Sequence, residues 1–200
     1  MAGRIAAPVA AGLATALLIA VSGVAVWRHV NGAAGDDPAT RLAVHTPVEA
    51  AIAEAEAHSA LCAGELTAIT RTPGPDAGAT ASGMTLLETC GATARRLAEQ
   101  GYGALDVAAG ITTVEAAPDG AGSPGRAAYL DASGSLLSVY ELQGDDFDVI
   151  FDALHHARLA GTPLAGLSED VARSLGNSTP DIAAAQDEQA RALSAYHRGG

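Results

Sequence analysis

Four residues of types that can bind metal ions lie close together in the C-terminal half of the sequence: Asp148, Asp152, His155 and His156. At 3.6 residues per turn they share one polar face of a helix, opposite Phe151. Carboxylate and imidazole groups one turn apart can share a divalent cation, although a second element must complete the site. The alternative is a solvated face on which Asp152 pairs with a neighbouring histidine.

The two cysteines, Cys62 and Cys90, are the other chemically informative pair. An even number of cysteines in an exported chain is typical of a disulfide, whereas a cytosolic chain would more often bury two thiols. Their separation does not match a redox motif of the Cys-x-x-Cys kind. The sequence therefore predicts a structural Cys62–Cys90 disulfide.

The sequence lacks the motifs of several common catalytic and cofactor-binding sites. All 11 basic residues are Arg, which excludes the lysine of a phosphate-binding loop, a Ser–Lys pair and a Schiff base. The glycine-rich run 120–125 is interrupted by Pro124 and precedes a predicted strand, unlike a dinucleotide-binding turn. A net charge of −12 disfavours a nucleic-acid surface. We predict no catalytic residue and no cofactor.

The first segment suggests a location. Ile5 to Trp27 is an uncharged apolar run that would form a helix of about 34 Å, against roughly 30 Å of bilayer hydrocarbon. With Arg4 and Arg28 beside it, residues 1–28 are predicted to be a signal anchor in the cell membrane. The acidic C-terminal domain would then be extracytoplasmic. Secretion after cleavage of a signal peptide is the alternative.

Composition divides the remainder of the chain into three parts. Residues 29–45 are predicted to be a flexible stalk, and residues 46–178 a folded extracytoplasmic domain. Residues 179–200 are predicted to be a C-terminal helix that could lie apart from that domain. Thr46 and Pro47 are typical of a helix start.

Apolar periodicity predicts a disulfide-linked helical hairpin. The first helix presents one continuous stripe: Val48, Ile52, Ala55, Ser59, Cys62 and Leu66. The second is predicted over about Met84–Gln100, ending at Gly101. Both cysteines lie on the apolar faces, so the bond would cross the interior of the hairpin.

The next region predicts β-structure. Residues 111–115 are β-branched, and residues 127–130 and 135–142 flank the turn-like run Asp131-Ala132-Ser133-Gly134. These would form a short antiparallel sheet of about three strands. Helices are predicted over 144–160, 168–176 and 179–196. The expected fold class is α+β, with the N-terminal transmembrane helix preceding the domain.

Three functions remain open at this point. The first is a non-enzymatic, membrane-anchored accessory or interaction module of the bacterial cell envelope, with the membrane and an envelope protein as partners. The second is an extracytoplasmic sensor of a metal or small ligand, and the third is a secreted hydrolase with an unrecognised site. The bacterial origin is suggested by the excess of Ala, Arg and Gly without Lys.

Overall fold

A computed structural model describes residues 36–71, 77–111 and 124–198. Long antiparallel helices form a bundle, and a short helix packs at one end. The helices are α1 (Pro38–Arg71), α2 (Ala77–Leu87), α3 (Cys90–Gly110), α4 (Pro124–Leu159) and α5 (Ser168–Arg198), with a 3-10 turn at Leu164–Leu167.

The apolar core has two parts, one at each end of the bundle, and their residues show in which direction each helix runs. One part joins the first half of α1, the end of α3, the first half of α4 and the second half of α5. The other joins the second half of α1, α2, the start of α3, the second half of α4 and the start of α5. The chain therefore runs up and down through α1, α3, α4 and α5, an arrangement typical of four-helix bundles.

Local sequence signals set several helix ends. Asp37 Oδ1 accepts hydrogen bonds from the backbone N–H groups of Ala39 and Thr40, both at 3.0 Å, so it caps α1 ahead of Pro38. At the end of α4, Gly161 adopts φ +70°. The N–H of Thr162 then reaches the carbonyl of Ala157 at 2.9 Å. This glycine-dependent C-cap turns the chain towards α5.

A buried ion pair joins three distant segments at one end of the bundle. Arg126 at the start of α4 donates from Nε and Nη2 to the carboxylate of Asp36, both at 2.6 Å. The Tyr196 hydroxyl near the end of α5 donates to the same carboxylate at 2.7 Å. All three residues are buried. Burial alone would lower the pKa of Arg126, but its contacts with Asp36 raise it.

A second polar layer lies beside this pair. Glu49 on α1 accepts hydrogen bonds from the Tyr129 hydroxyl at 2.8 Å and from the Gln189 amide at 2.6 Å. The rings of Tyr129 and Tyr196 stack with centroids 5.6 Å apart. Burial raises the pKa of Tyr129, and the hydrogen bond to Glu49 adds to that effect. These groups are mutually satisfied, which indicates a structural role in aligning α1, α4 and α5.

The predicted α+β class is wrong. No β-strand is present in residues 36–71, 77–111 and 124–198. The two strands predicted over 127–130 and 135–142 lie inside α4, and of the strand predicted over 111–115 only Ile111 is described. The buried residues of this part of α4 recur every three or four positions: Tyr129, Ala132, Ser133, Leu136, Leu137 and Tyr140. That helical stripe buries enough apolar surface to outweigh the roughly 1 kcal/mol helix penalty of Gly134.

Other boundaries also differ from those predicted. Residues 38–45, expected in the stalk, form the first part of α1, where Val44 is fully buried. The predicted helices over 168–176 and 179–196 are one helix, α5, which continues through Pro180. Its C-terminal part is docked on the bundle, because Tyr196 is 1 % exposed. Gly101 lies within α3 and does not end it.

The predicted single membrane span lies outside the described residues. Every described helix is either too short or too polar to span a bilayer. The long helices carry charged side chains along their lengths, such as Glu54 and Glu65 in α1. The predictions of a single-pass protein and of the membrane as its partner are therefore corrected, because the described helices give them no support.

Gly144 permits a close approach of α4 to α3, and this leads to a testable prediction. A Cβ atom there would lie 2.8 Å from the Ala94 Cβ and 3.2 Å from the Gly91 carbonyl oxygen. We expect Gly144→Ala to lower the free energy of unfolding by about 1–3 kcal/mol, the usual effect of overpacking. Urea unfolding followed by far-UV circular dichroism measures this.

Gly103 provides the matched control on α3, since it is helical, exposed and has no atom within 4 Å of the added methyl. Gly103→Ala should raise stability by up to about 1 kcal/mol through helix propensity alone. Equal stabilisation by both substitutions would show that α3 and α4 are not in close contact at Gly144.

Candidate functional site

The four predicted metal ligands lie on the second half of α4, as expected for a helix, but they point to different neighbours. Asp148 Oδ2 pairs with Arg95 Nη2 of α3 at 2.8 Å. Asp145 takes the other nitrogen of the same guanidinium at 2.8 Å. The hydrogen bond to Asp148 is the largest cause of a raised pKa at Arg95. Asp148 is thus part of a surface ion-pair network between α3 and α4.

The other three residues are exposed. Asp152 and His155 border a depression between α2 and α4, together with Glu88. The His156 Nδ1 atom lies 2.7 Å from the backbone oxygen of Asp152, so this contact does not use the carboxylate. Ligation of a metal by Asp148, Asp152, His155 and His156 stays a prediction.

Donor atoms do converge at another place. Within the described ranges, His58, Cys62 and Cys90 form a group of three potential ligands whose donor atoms lie within 4.8 Å of one another. The predicted Cys62–Cys90 disulfide is confirmed, with Cα atoms 6.1 Å apart. Both cysteines are 0 % exposed in the second core. His58 Nε2 lies 2.9 Å from the backbone oxygen of Cys90.

A polar concavity lies between α4 and α5, and we call it the acidic groove. It has a volume of about 630 Å³. Its carboxylates are Asp145 and Asp146 from α4 and Asp181 and Glu188 from α5. No Arg or His lines the groove among the described residues. The groove is therefore a region of concentrated negative charge on an already acidic protein.

Helical spacing explains why these groups meet. On α5, Asp181 and Glu188 are seven residues apart, so they lie two turns apart on one face. Ala184 and Ala185 lie between them, and their small side chains leave the groove open. On α4, Val139, Leu142 and Asp146 follow one another at three- and four-residue steps.

The electrostatics of the groove differ from one carboxylate to the next. Burial raises the pKa of Asp146, and the charge of Asp145 raises it further, while a hydrogen bond with Ser178 opposes the shift. Asp145 is partly neutralised by Arg95 from outside the groove. Asp181 and Glu188 form no ion pair with the described part of the chain and are exposed. They are available to a cationic ligand.

Exposed aliphatic side chains on α4 accompany the carboxylates of the acidic groove. Leu142 lines the groove and is 62 % exposed, and Val149 is 69 % exposed two turns further along α4. Their seven-residue separation places them on one face of the helix. The surface thus offers both carboxylates and uncovered aliphatic side chains, a combination that suits an amphipathic basic segment.

Comparisons with protein-family profiles, with curated proteins and with solved structures found no match for this chain. The sequence-based prediction of a strand over residues 135–142 does not place the groove side chains of α4 on one face, and so it misses the groove. The signal was present in the three- and four-residue spacing from Val139 to Asp146. It becomes visible only when the whole of 124–159 is treated as one helix.

Proposed function

We propose that this chain is a non-enzymatic binding module whose acidic groove takes a basic, partly apolar segment of a partner protein. The observation that carries the proposal is the groove itself, lined by the exposed Leu142 and by two exposed carboxylates, Asp181 and Glu188, that form no ion pair within the described ranges. Complementary charge favours encounter and orientation, and aliphatic contacts slow dissociation.

Helix-in-groove recognition is the binding mode that this surface suits. An amphipathic helix would place aliphatic side chains over Leu142 and arginine or lysine side chains against the carboxylates. A rigid helical scaffold limits the entropy lost on binding, because α4 and α5 are already packed on each other. The disulfide supports a working environment that is oxidising, where such bonds form and persist.

Charge reversal in the groove tests this function. The probe is a fluorescein-labelled amphipathic peptide built from Arg, Leu and Ala, and the measurement is fluorescence anisotropy at two salt concentrations. We expect the double substitution Asp181→Arg with Glu188→Arg to weaken binding by about tenfold or more, since repulsion replaces attraction at two contacts. Raised salt should weaken wild-type binding as well.

A matched variant separates the groove from net charge. Glu169→Arg with Asp187→Arg changes the total charge equally on the same helix, at exposed positions outside the groove lining. It should leave peptide affinity almost unchanged. Leu142→Ser should weaken binding without any change in charge. Equal losses in the two charge-reversed proteins would mean non-specific attraction and would contradict the proposal.

A further inference from the structure

A histidine lies against the disulfide that joins α1 to α3. His58 and Cys62 are one helical turn apart on α1, and the His58 Nε2 atom lies 3.5 Å from the Cys62 sulfur. Cys90 is the first residue of α3. The three potential donor atoms lie within 4.8 Å of one another. Nitrogen and two sulfurs are the donor set that zinc prefers.

The oxidised form cannot use this set, because the thiolate is the metal ligand and a disulfide sulfur is not. We propose that reduction of Cys62–Cys90 converts these residues into a metal site, in which His58, Cys62 and Cys90 bind one zinc-like divalent cation. The site is independent of the acidic groove, so neither proposal depends on the other.

A dithiol reductant supplies the electrons and protons that the conversion needs. The dithiol gives two electrons and two protons to the Cys62–Cys90 sulfur–sulfur bond, which breaks into two thiols. The dithiol itself closes to a disulfide. When the cation binds, both thiols release their protons to solvent and two metal–sulfur bonds form. Reoxidation of the thiols would expel the metal.

Three features of the fold favour the bound state. A tetrahedral cation with bonds of about 2.0–2.3 Å holds its ligand atoms about 3.5–4 Å apart. The His58 Nε2 atom already lies at this distance from the Cys62 sulfur, at 3.5 Å, and the two sulfurs move apart when their bond is reduced. Cys90 is the first residue of α3, and a helix N-terminus favours a thiolate once the disulfide is reduced. The other buried residues of the second core, to which Cys62 and Cys90 belong, are apolar, and an apolar surrounding strengthens charge interactions inside the site.

His58 also lies where a cation would enter the site. It is half-buried, whereas both sulfurs are fully buried, so a cation would reach the site past the imidazole. In the oxidised chain Nε2–H can donate to the Cys90 carbonyl oxygen, 2.9 Å away, and metal binding replaces this hydrogen bond. Binding requires neutral imidazole with the proton on Nδ1, so that the Nε2 lone pair faces the metal. Three protein ligands leave the fourth position to water.

The test uses the full chain, reduced with a dithiol and desalted without air. Cobalt(II) replaces zinc because thiolate ligation gives it intense charge-transfer absorption and tetrahedral coordination gives it characteristic visible bands. We expect one cobalt per reduced chain, displaced by zinc, and no such spectrum in the oxidised chain. Zinc should also slow re-formation of the disulfide in air, as measured by free-thiol titration.

His58→Ala should weaken cobalt binding by more than about tenfold, since even the loss of a supporting hydrogen bond to a ligand has that effect. The exposed His197→Ala, near the end of α5 and outside both candidate ligand sets, is the matched control and should bind as the wild type does. Circular dichroism follows helix content throughout. The proposal is overturned if the reduced chain remains helical without binding cobalt, or unfolds and is not restored by metal. Equal affinity of His58→Ala and wild type would overturn it as well.

Discussion

Replacing Arg126 with Ala should lower the free energy of unfolding by about 3–5 kcal/mol, the usual effect of breaking a buried ion pair. Asp36 and Arg126 are 3 % and 4 % exposed, so the remaining carboxylate would be left without its counter-ion and away from water. The hydrogen bond from Tyr196 cannot neutralise that charge. The carbonyl of Ile111 would also lose its hydrogen-bond donor. Urea unfolding followed by far-UV circular dichroism measures the loss.

A double variant distinguishes the ion pair from simple packing. Asp36→Leu combined with Arg126→Met removes both charges and keeps apolar volume, so it should recover much of the lost stability. The exposed Arg173, which pairs with Asp170 on the surface, supplies the control. Arg173→Ala should change stability by less than about 1 kcal/mol. A similarly small effect at Arg126 would mean that water reaches Asp36.

The second large effect concerns the disulfide. We expect Cys62→Ser with Cys90→Ser to lower the free energy of unfolding by about 3–4 kcal/mol, because the unfolded chain regains the freedom of an open loop. The closed loop has a sequence separation of 28 residues. For a folded region of this size the melting temperature should fall by roughly 10 °C. Differential scanning calorimetry measures both quantities.

Reduced wild-type protein is the control for the serine substitutions. With a chelator present to keep the thiols free of metal, it should melt at about the same temperature as the double serine variant. Unchanged melting of a chain that titrates two free thiols would show that the cross-link contributes little. A much lower melting temperature in the serine variant would assign the loss to the polar hydroxyls in the core instead.

The disulfide and the apolar face of α1 were predictable because their signals are local, whereas the helix predicted over Met84–Gln100 is divided between α2 and α3. The stripe from Val48 to Leu66 repeats every three or four residues, and all of its members are buried except the half-buried Ser59. Cys62 and Cys90 lay on apolar faces of the predicted helices, and the only two cysteines of a chain can pair in one way. Each inference needed only residues within a few turns.

The error in α4 arose from a conflict between local and distant signals. Asp131 and Gly134 are favourable in turns, and the flanking residues 127–130 and 135–142 resemble paired strands when they are considered alone. In the bundle, the same stretch buries Tyr129, Leu136 and Leu137 against other helices. The gain from that burial exceeds a turn preference of about 1 kcal/mol.

The amino-acid sequence by itself determined the acidic charge, the lack of lysine-dependent chemistry, the apolar face of α1 and the partner of each cysteine. Only the tertiary structure decided which residues from distant parts of the sequence come into contact. The Asp36–Arg126 pair joins residues 90 positions apart, and Tyr196 reaches Asp36 across 160 positions. The acidic groove and the position of His58 at the disulfide also need separate helices to meet. Helical periodicity specifies which face a residue occupies, but only packing specifies which other face it meets.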